Sequence, residues 1–305
     1  MSTGRIGIIG PGALGLVFAT FFHKAKFPLF LVDHSPDRAV FLNQNGILME
    51  WEGKSISSHP PVLLYDKIHE PPLFWLVSVK HHQIPQVLKR IPNPSQSPFL
   101  FIQNGLGIQE MVSSYLEPEN YILGITQIGA TLLEVGKVSL SALGTTLLDA
   151  SHPKSEEIQS LFHQANLPIE LHPHIEAAIW QKALLNSALN PLTAILQVQN
   201  GAILAQPSLW SLFCDLLKEG ELVAERQGFS FPHLIVFAKE VIAKTAQNLS
   251  SMAQDLKKGK KTEIHALSGY LIEKARTLGL SLPKQETLYA LVTAMEEIPK
   301  TPTQD

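Results

Sequence analysis

The sequence predicts an α/β fold, a doubly wound parallel sheet in residues 1–172 followed by an all-α domain in residues 173–305. Three observations predict it. Short apolar runs alternate with helical stretches through the first half, and a Gly-x-Gly-x-x-Gly turn follows the first of those runs. From about Pro173 onward every segment has helical spacing, with Pro or Gly at the joints.

Taken in order, "RIGIIG" reads as a strand, "LGLVFATFFHKA" as a helix, "PLFLVD" as a second strand and "SPDRAVFLNQNG" as a second helix. A pair of weaker strands is expected within "GILMEWEGKSISSHPPVLLY". Then come the strand "PLFWLVSVK", the helical "QIPQVLKRI", the strand "PFLFIQN", the helical "IQEMVSSYL" and the strand-rich "YILGITQIGATLLEVGKVSLSALG". The helical "KSEEIQSLFHQAN" and a strand "LPIELH" complete the sheet. Strand alternating with helix favours parallel pairing. The helical half reads "HIEAAIWQKALLNSAL", "PSLWSLFCDLLKEGELVAERQG", "PHLIVFAKEVIAKTAQNLSSMAQDLKK", "TEIHALSGYLIEKARTLG" and "KQETLYALVTAMEEI". Pro191 should disturb the first of these helices. The tail "PKTPTQD" is expected to fray.

Composition narrows the function classes. The 305 residues are 45% hydrophobic and 17% charged, enough for a sizeable core, and the net charge of −3 argues against a nucleic-acid partner. "KKGKK" reads as a solvated turn. No apolar run approaches the ~20 residues of a membrane span, and the start lacks a signal-peptide pattern. Cys214 stands alone in an apolar stretch and reads as a core filler in a reducing compartment. A cytoplasmic protein, monomeric or homodimeric, is expected.

The turn "GPGALG" places Gly10, Gly12 and Gly15 around Pro11, Ala13 and Leu14, between a strand and a helix. Gly10 suits a tight turn, Gly12 lets a pyrophosphate approach the backbone and Gly15 lets helix and strand pack closely. Asp33 ends the second strand, where a carboxylate bonds a ribose 2′-hydroxyl, which favours NAD(H). It serves equally to cap the next helix, and the neighbouring His34 and Arg38 could instead attract a phosphate. Lys80, Asn104 and the backbone of Ala130 stand just past apolar runs, where open sheets bind ligands; Asn104 also suits a turn. His81 and His82 read as surface residues, and no metal site is expected.

Hydride chemistry needs a group to manage the accompanying proton. In "WQKALLNSALNPLTA", Lys182, Asn186 and Asn190 lie four residues apart and share a helix face otherwise apolar. An ammonium in a partly dry cleft supplies both field and proton to a carbonyl being reduced. The bland alternative is a snorkelling lysine with two amides on loop backbone. Asn248, Ser250 and Ser251 offer donors suited to a carboxylate, and a break near Gly259 would let a returning segment bring Glu263 to the same cleft. These residues could equally be a helix end, a turn and a capping glutamate.

"GPGALG", "VKHHQ", "QNGLG", "WQKALLNSALNPLTA" and "NLSSMAQDLKKGKKTEIHALSGYLIEKARTLGLSLP" together resemble the ketopantoate reductase family, in order, from the first strand to about Pro283. The resemblance implies a Rossmann-type domain and a helical domain like that of 6-phosphogluconate dehydrogenase. It implies NADPH-dependent reduction of 2-dehydropantoate to (R)-pantoate, a step toward pantothenate and coenzyme A. It places the catalytic lysine on Lys182 and the family's glutamate, beside the reacting centre, on Glu263. Substrate contacts fall on Asn186, Asn190, Asn200, Asn248, Ser250 and Ser251, and cofactor contacts on Gly10 through Gly15, Lys80, Asn104 and Ala130. Members that prefer NADPH often carry Arg at the end of the second strand, where this chain has Asp33 or His34, so appreciable NADH use is expected. The alternatives are a reductase of the same architecture acting on another small branched 2-oxo acid or on an imine, and a non-catalytic dinucleotide sensor.

Overall fold

The structure, a computed structural model, describes residues 4–298, and the tail from Pro299 lies outside them. The chain forms two compact units. One comprises the residues up to Gln103 together with Ile108–Glu176, the other Asn104–Gly107 together with the residues from Ala177 onward.

The first unit runs β1 (Ile6–Ile9), α1 (Ala13–Lys24), β2 (Leu29–Asp33), α2 (Pro36–Asn45), β3 (Ile47–Trp51), β4 (Lys54–Ser58), β5 (Val62–Leu64), β6 (Trp75–Val77), α3 (Ile84–Leu88) and β7 (Phe99–Phe101). It continues with α4 (Ile108–Val112), β8 (Tyr121–Thr126), β9 (Gly129–Glu134), β10 (Lys137–Ala142), β11 (Thr146–Asp149), α5 (Ser155–Gln164) and β12 (Ile169–His172). Eight strands make one sheet in the order β12-β11-β8-β7-β6-β1-β2-β5. Read from β5, the first six are parallel and in the doubly wound order whose reversal point lies between β1 and β6. β1, β2, β6 and β7 are buried along their whole length, as befits strands covered on both faces. Phe18 and Phe22 of α1 meet Phe162 of α5 with ring centroids 5.7 and 5.2 Å apart, fastening two helices in the core.

Two details differ from the sequence expectation. β11, hidden in "TTLLDA", runs antiparallel to β8, so the sheet is mixed at that edge. The weak strands of residues 46–65 are three, not two. β5 joins the main sheet, whereas β3 and β4 form a hairpin in a separate four-stranded sheet with β9 and β10. Glu52 and Gly53 both take positive φ between β3 and β4, the two-residue turn that matches strand twist.

The second unit is helical: α6 (Ile175–Leu196), α7 (Ala202–Ala205), α8 (Pro207–Arg226), α9 (Leu234–Lys244), α10 (Ser251–Lys257), α11 (Ser268–Thr277) and α12 (Pro283–Glu297), with no strand among the described residues. The helical stretch expected over 232–258 breaks between α9 and α10, where Asn248 N–H turns back onto the Thr245 carbonyl, 2.9 Å. α6 runs unbroken through Pro191, contrary to expectation. The proline lacks the N–H that would reach the Ser187 carbonyl, and Ser268 Oγ donates to that carbonyl instead, at 3.5 Å. Buried apolar side chains then hold α6 in place, so the helix survives its proline. Among the described residues no helix is long and apolar enough to cross a membrane.

Candidate active site

The glycine turn follows β1. Gly10 has φ +97°, and a Cβ on Gly15 would sit 2.0 Å from the Gly10 carbonyl oxygen, so α1 packs onto the turn only with glycine there. A Cβ on Gly12 would meet nothing closer than the Ser78 carbonyl at 4.0 Å, which leaves open space above the turn. Gly12 is the N-cap of α1 and offers no side-chain cap, so the first-turn amides remain available to an anion. Two residues that the sequence reading passed over fasten this region, one on the turn itself and one on the segment that follows β6. Ser78 Oγ lies 2.8 and 2.7 Å from the carbonyls of Ile9 and Gly10. Gln103 Nε2 donates to the carbonyls of Val77 (2.7 Å) and Val79 (3.1 Å). Their signal was present as polar residues at the ends of apolar strands. Open space at Gly12 and uncapped amides fit a dinucleotide pyrophosphate.

Asp33 closes β2 with its side chain fully buried. The Arg38 guanidinium grips it with two donors, Nε to Oδ2 and Nη2 to Oδ1, the latter at 2.5 Å, while Ser35 N–H donates to Oδ1 at 3.1 Å. His34 Nδ1 lies 3.5 Å from the same oxygen. Ser35, not Asp33, caps α2, accepting from Arg38 N–H at 3.3 Å. The carboxylate holds Arg38 more firmly protonated than an isolated guanidinium. Lys80 lies just past β6, at the N-cap of the short turn carrying His81 and His82. Ala130 does not stand at the end of a main-sheet strand; it lies inside β9, in register with Leu140 of β10. β8 ends at Thr126 and the chain crosses to the second sheet before reaching it, which the continuous strand signal concealed.

Within the helical unit Glu263 is linked to two other predicted residues, to Lys182 through its charge and to Asn104 through a hydrogen bond, Asn104 Nδ2 donating to Glu263 Oε2 at 3.3 Å. Asn104 arrives on the segment 104–107, anchored by Leu106 N–H on the Ala266 carbonyl at 2.8 Å. Gly105, at φ +105°, lies where a Cβ would come within 2.7 Å of that same carbonyl oxygen. Lys182 is partly exposed as a residue, yet its amine is desolvated, and burial lowers it from 10.5 to about 8 against the opposing pull of Glu263. The amine is therefore largely protonated near neutrality and able to give up its proton there. Asn186 and Asn190 follow on the same face of α6, Asn190 buried.

The remaining predicted residues divide. Asn200 is buried. Its N–H reaches the Asn248 carbonyl at 3.0 Å, its Nδ2 the Thr245 hydroxyl at 3.1 Å, and its Oδ1 has no protein partner. Ser250 is engaged structurally, since its Oγ caps α10 at Ala253 N–H (3.2 Å) and accepts from Thr193 Oγ1 (2.8 Å). Through Thr193 it is tied to the Asn190 turn of α6. Ser251 and Asn248 are exposed. Cys214 packs at the edge of the helical core, where burial pushes its thiol up, away from nucleophilic use. Among the described residues no cluster of His, Cys, Asp and Glu could hold a metal ion.

Such an arrangement can bind a dinucleotide on the first unit and offer a proton from the second. Comparison with known proteins identifies the family. The family model "Ketopantoate reductase PanE/ApbA" matches residues 6–152, and its C-terminal counterpart matches 174–296. A 2-dehydropantoate 2-reductase of Listeria innocua is 31% identical over 298 residues, covering 96% of this chain and 97% of its own length. One from Archaeoglobus fulgidus is 29% identical, with coverages of 97% and 99%. Among solved structures, a probable 2-dehydropantoate 2-reductase from Bacillus subtilis aligns with TM-score 0.82 at 26% identity, over 95% of this chain and 99% of that one. D-mandelate dehydrogenase, solved with NADH and anilino(oxo)acetate, aligns with TM-score 0.90 at 23% identity, over 96% and 98%, a likeness of fold alone. With both halves matched in order by the family's models, and a relative 31% identical over nearly the whole chain, this chain belongs to the ketopantoate reductase family.

Proposed function

We propose that this protein reduces 2-dehydropantoate to (R)-pantoate, with a nicotinamide dinucleotide held on the glycine turn and the proton held by Lys182. One observation carries the reading: a desolvated ammonium that feels the charge of Glu263, on a helix face with two amides. When bound, the dinucleotide supplies the hydride. Lys182 then meets the negative charge that develops on the carbonyl oxygen and donates its proton there. Glu263, itself held by Asn104, opposes the effect of burial and favours the protonated amine. Asn186 and Asn190, with the unpartnered Oδ1 of Asn200, suit the substrate's hydroxyl. Ser251 and Asn248 remain as donors for its carboxylate, while Ser250 contributes by fixing the start of α10.

The coenzyme reading follows from Asp33. Its buried negative charge opposes a 2′-phosphate, and Arg38, the nearest cation, is already paired to it. Appreciable NADH use is the expected outcome. The test is to mix purified protein with 2-dehydropantoate and either NADH or NADPH and follow loss of the reduced-nicotinamide absorbance. Turnover with both coenzymes supports the proposal, and no turnover with either overturns it. A kcat/KM at least a hundredfold higher with NADPH rejects the coenzyme reading alone. The same Asp33 arrangement leaves room for a second reading, an NADH-linked reductase of another small 2-oxo acid. A panel of 2-oxo acids separates the two.

A further inference from the structure

Glu296 lies on the last turn of α12, thirty-three positions from Glu263 in sequence. A carboxylate is out of place there, because a helix C-terminus carries partial negative charge and no basic residue occupies that turn. What fixes it is Thr262. The Thr262 N–H donates to Glu296 Oε1 at 2.7 Å and the Thr262 hydroxyl to the same oxygen at 2.5 Å. Charge-assisted bonds of this kind are short and strong. Thr262 is buried, and its Oγ1 also accepts from Ile264 N–H at 3.1 Å. Both chain neighbours of Glu263 are thus tied down, while Glu263 itself sits in a non-helical conformation ahead of a single 3₁₀ turn. Glu296 is thus the anchor at the start of that loop, which farther along is held by Leu106 N–H on the Ala266 carbonyl and by the Asn104 amide on Glu263.

We propose that Glu296 is a positioning residue for the reaction, which through Thr262 holds in place the Glu263 carboxylate whose charge acts on the Lys182 ammonium. The inference rests on the reading that Lys182 and Glu263 act in turnover. Glu296 touches neither of them and works only through the loop.

The test compares Glu296→Ala, Glu296→Gln, Thr262→Val and Thr262→Ser with Lys182→Ala and Glu263→Gln, using the full chain, 2-dehydropantoate and the better coenzyme. Glu296→Ala and Thr262→Val should each lower kcat on the order of tenfold, with KM for the coenzyme unchanged, as expected for a misplaced group. Both should move the alkaline limb of the kcat profile to lower pH, the direction in which Glu263→Gln moves it. Glu296→Gln and Thr262→Ser keep the acceptor and the hydroxyl and should stay within about twofold of the parent. The double variant Glu296→Ala/Thr262→Val should be no slower than either single one, because both break the same link. Thermal midpoints identify any variant that has lost its fold, in which case the other member of the pair decides. If Lys182→Ala and Glu263→Gln are slow but Glu296→Ala and Thr262→Val keep the parent's kcat and alkaline limb, the proposal is overturned. If Lys182→Ala and Glu263→Gln turn over normally, the underlying catalytic reading fails instead.

Discussion

Raising the pH from 7 to 9 should slow the chemical step about tenfold if Lys182 delivers the proton. The size follows from the amine's position in the fold. Burial brings it to about 8, so the protonated fraction is roughly nine-tenths at pH 7, one-half at pH 8 and one-tenth at pH 9. An ordinary lysine at 10.5 would still be about 97% protonated at pH 9 and would give a flat profile. Single-turnover reduction with saturating coenzyme and 2-oxo acid isolates the step from product release. Glu263→Gln removes the charge that raises the amine, so its alkaline limb should begin at lower pH. A rate that holds to pH 9, or a limb that moves upward in Glu263→Gln, would refute the assignment.

Further predictions follow from the same geometry. Lys182→Met should abolish turnover yet stabilise the fold at pH 7 by about 1–3 kcal/mol, because the buried ammonium is disfavoured relative to the unfolded chain. Since the folded amine titrates below the unfolded one, that penalty is complete below pH 8 and disappears toward pH 10.5; denaturant unfolding at pH 7 and 10.5 should show the gain only at the lower pH. Gly15→Ala should cost about 1–3 kcal/mol of stability, because its Cβ collides with the Gly10 carbonyl. Gly12→Ala should leave the thermal midpoint nearly unchanged while weakening coenzyme binding at least about tenfold, since the methyl enters the space left for the pyrophosphate. Asp33→Asn should release the charge of Arg38 and raise the NADPH-to-NADH ratio of kcat/KM by about tenfold; an unchanged ratio would remove Arg38 from phosphate recognition.

The parts of this molecule that were readable before folding are those with local causes. Gly10, Gly12 and Gly15 declare their turn because each spacing has a separate steric reason, and Lys182, Asn186 and Asn190 declare a face because helical periodicity alone aligns them. What escaped depends on partners distant in sequence. β9 and β10 look like a continuation of β8, and only the pairing of β10 with β3, about ninety residues earlier, moves them to another sheet. Pro191 reads as a break until Ser268, seventy-seven positions later, takes the orphaned carbonyl. Ser250 looks like a free donor until Thr193 and the α10 cap claim it. Arg38 was visible beside Asp33, but its two-pronged grip depends on how α2 leaves the strand.

Leu106 belongs to the core of the helical unit although the residues on either side of its short segment belong to the first unit. A single cut near residue 176 therefore cannot yield a whole helical fragment. That piece would carry a hole where one leucine was and an Ala266 oxygen without its donor. Four residues encoded within the first half are packed with the second. A swap of either half with a relative must bring its own version of Asn104–Gly107 along, or the carboxylate of Glu263 loses its amide.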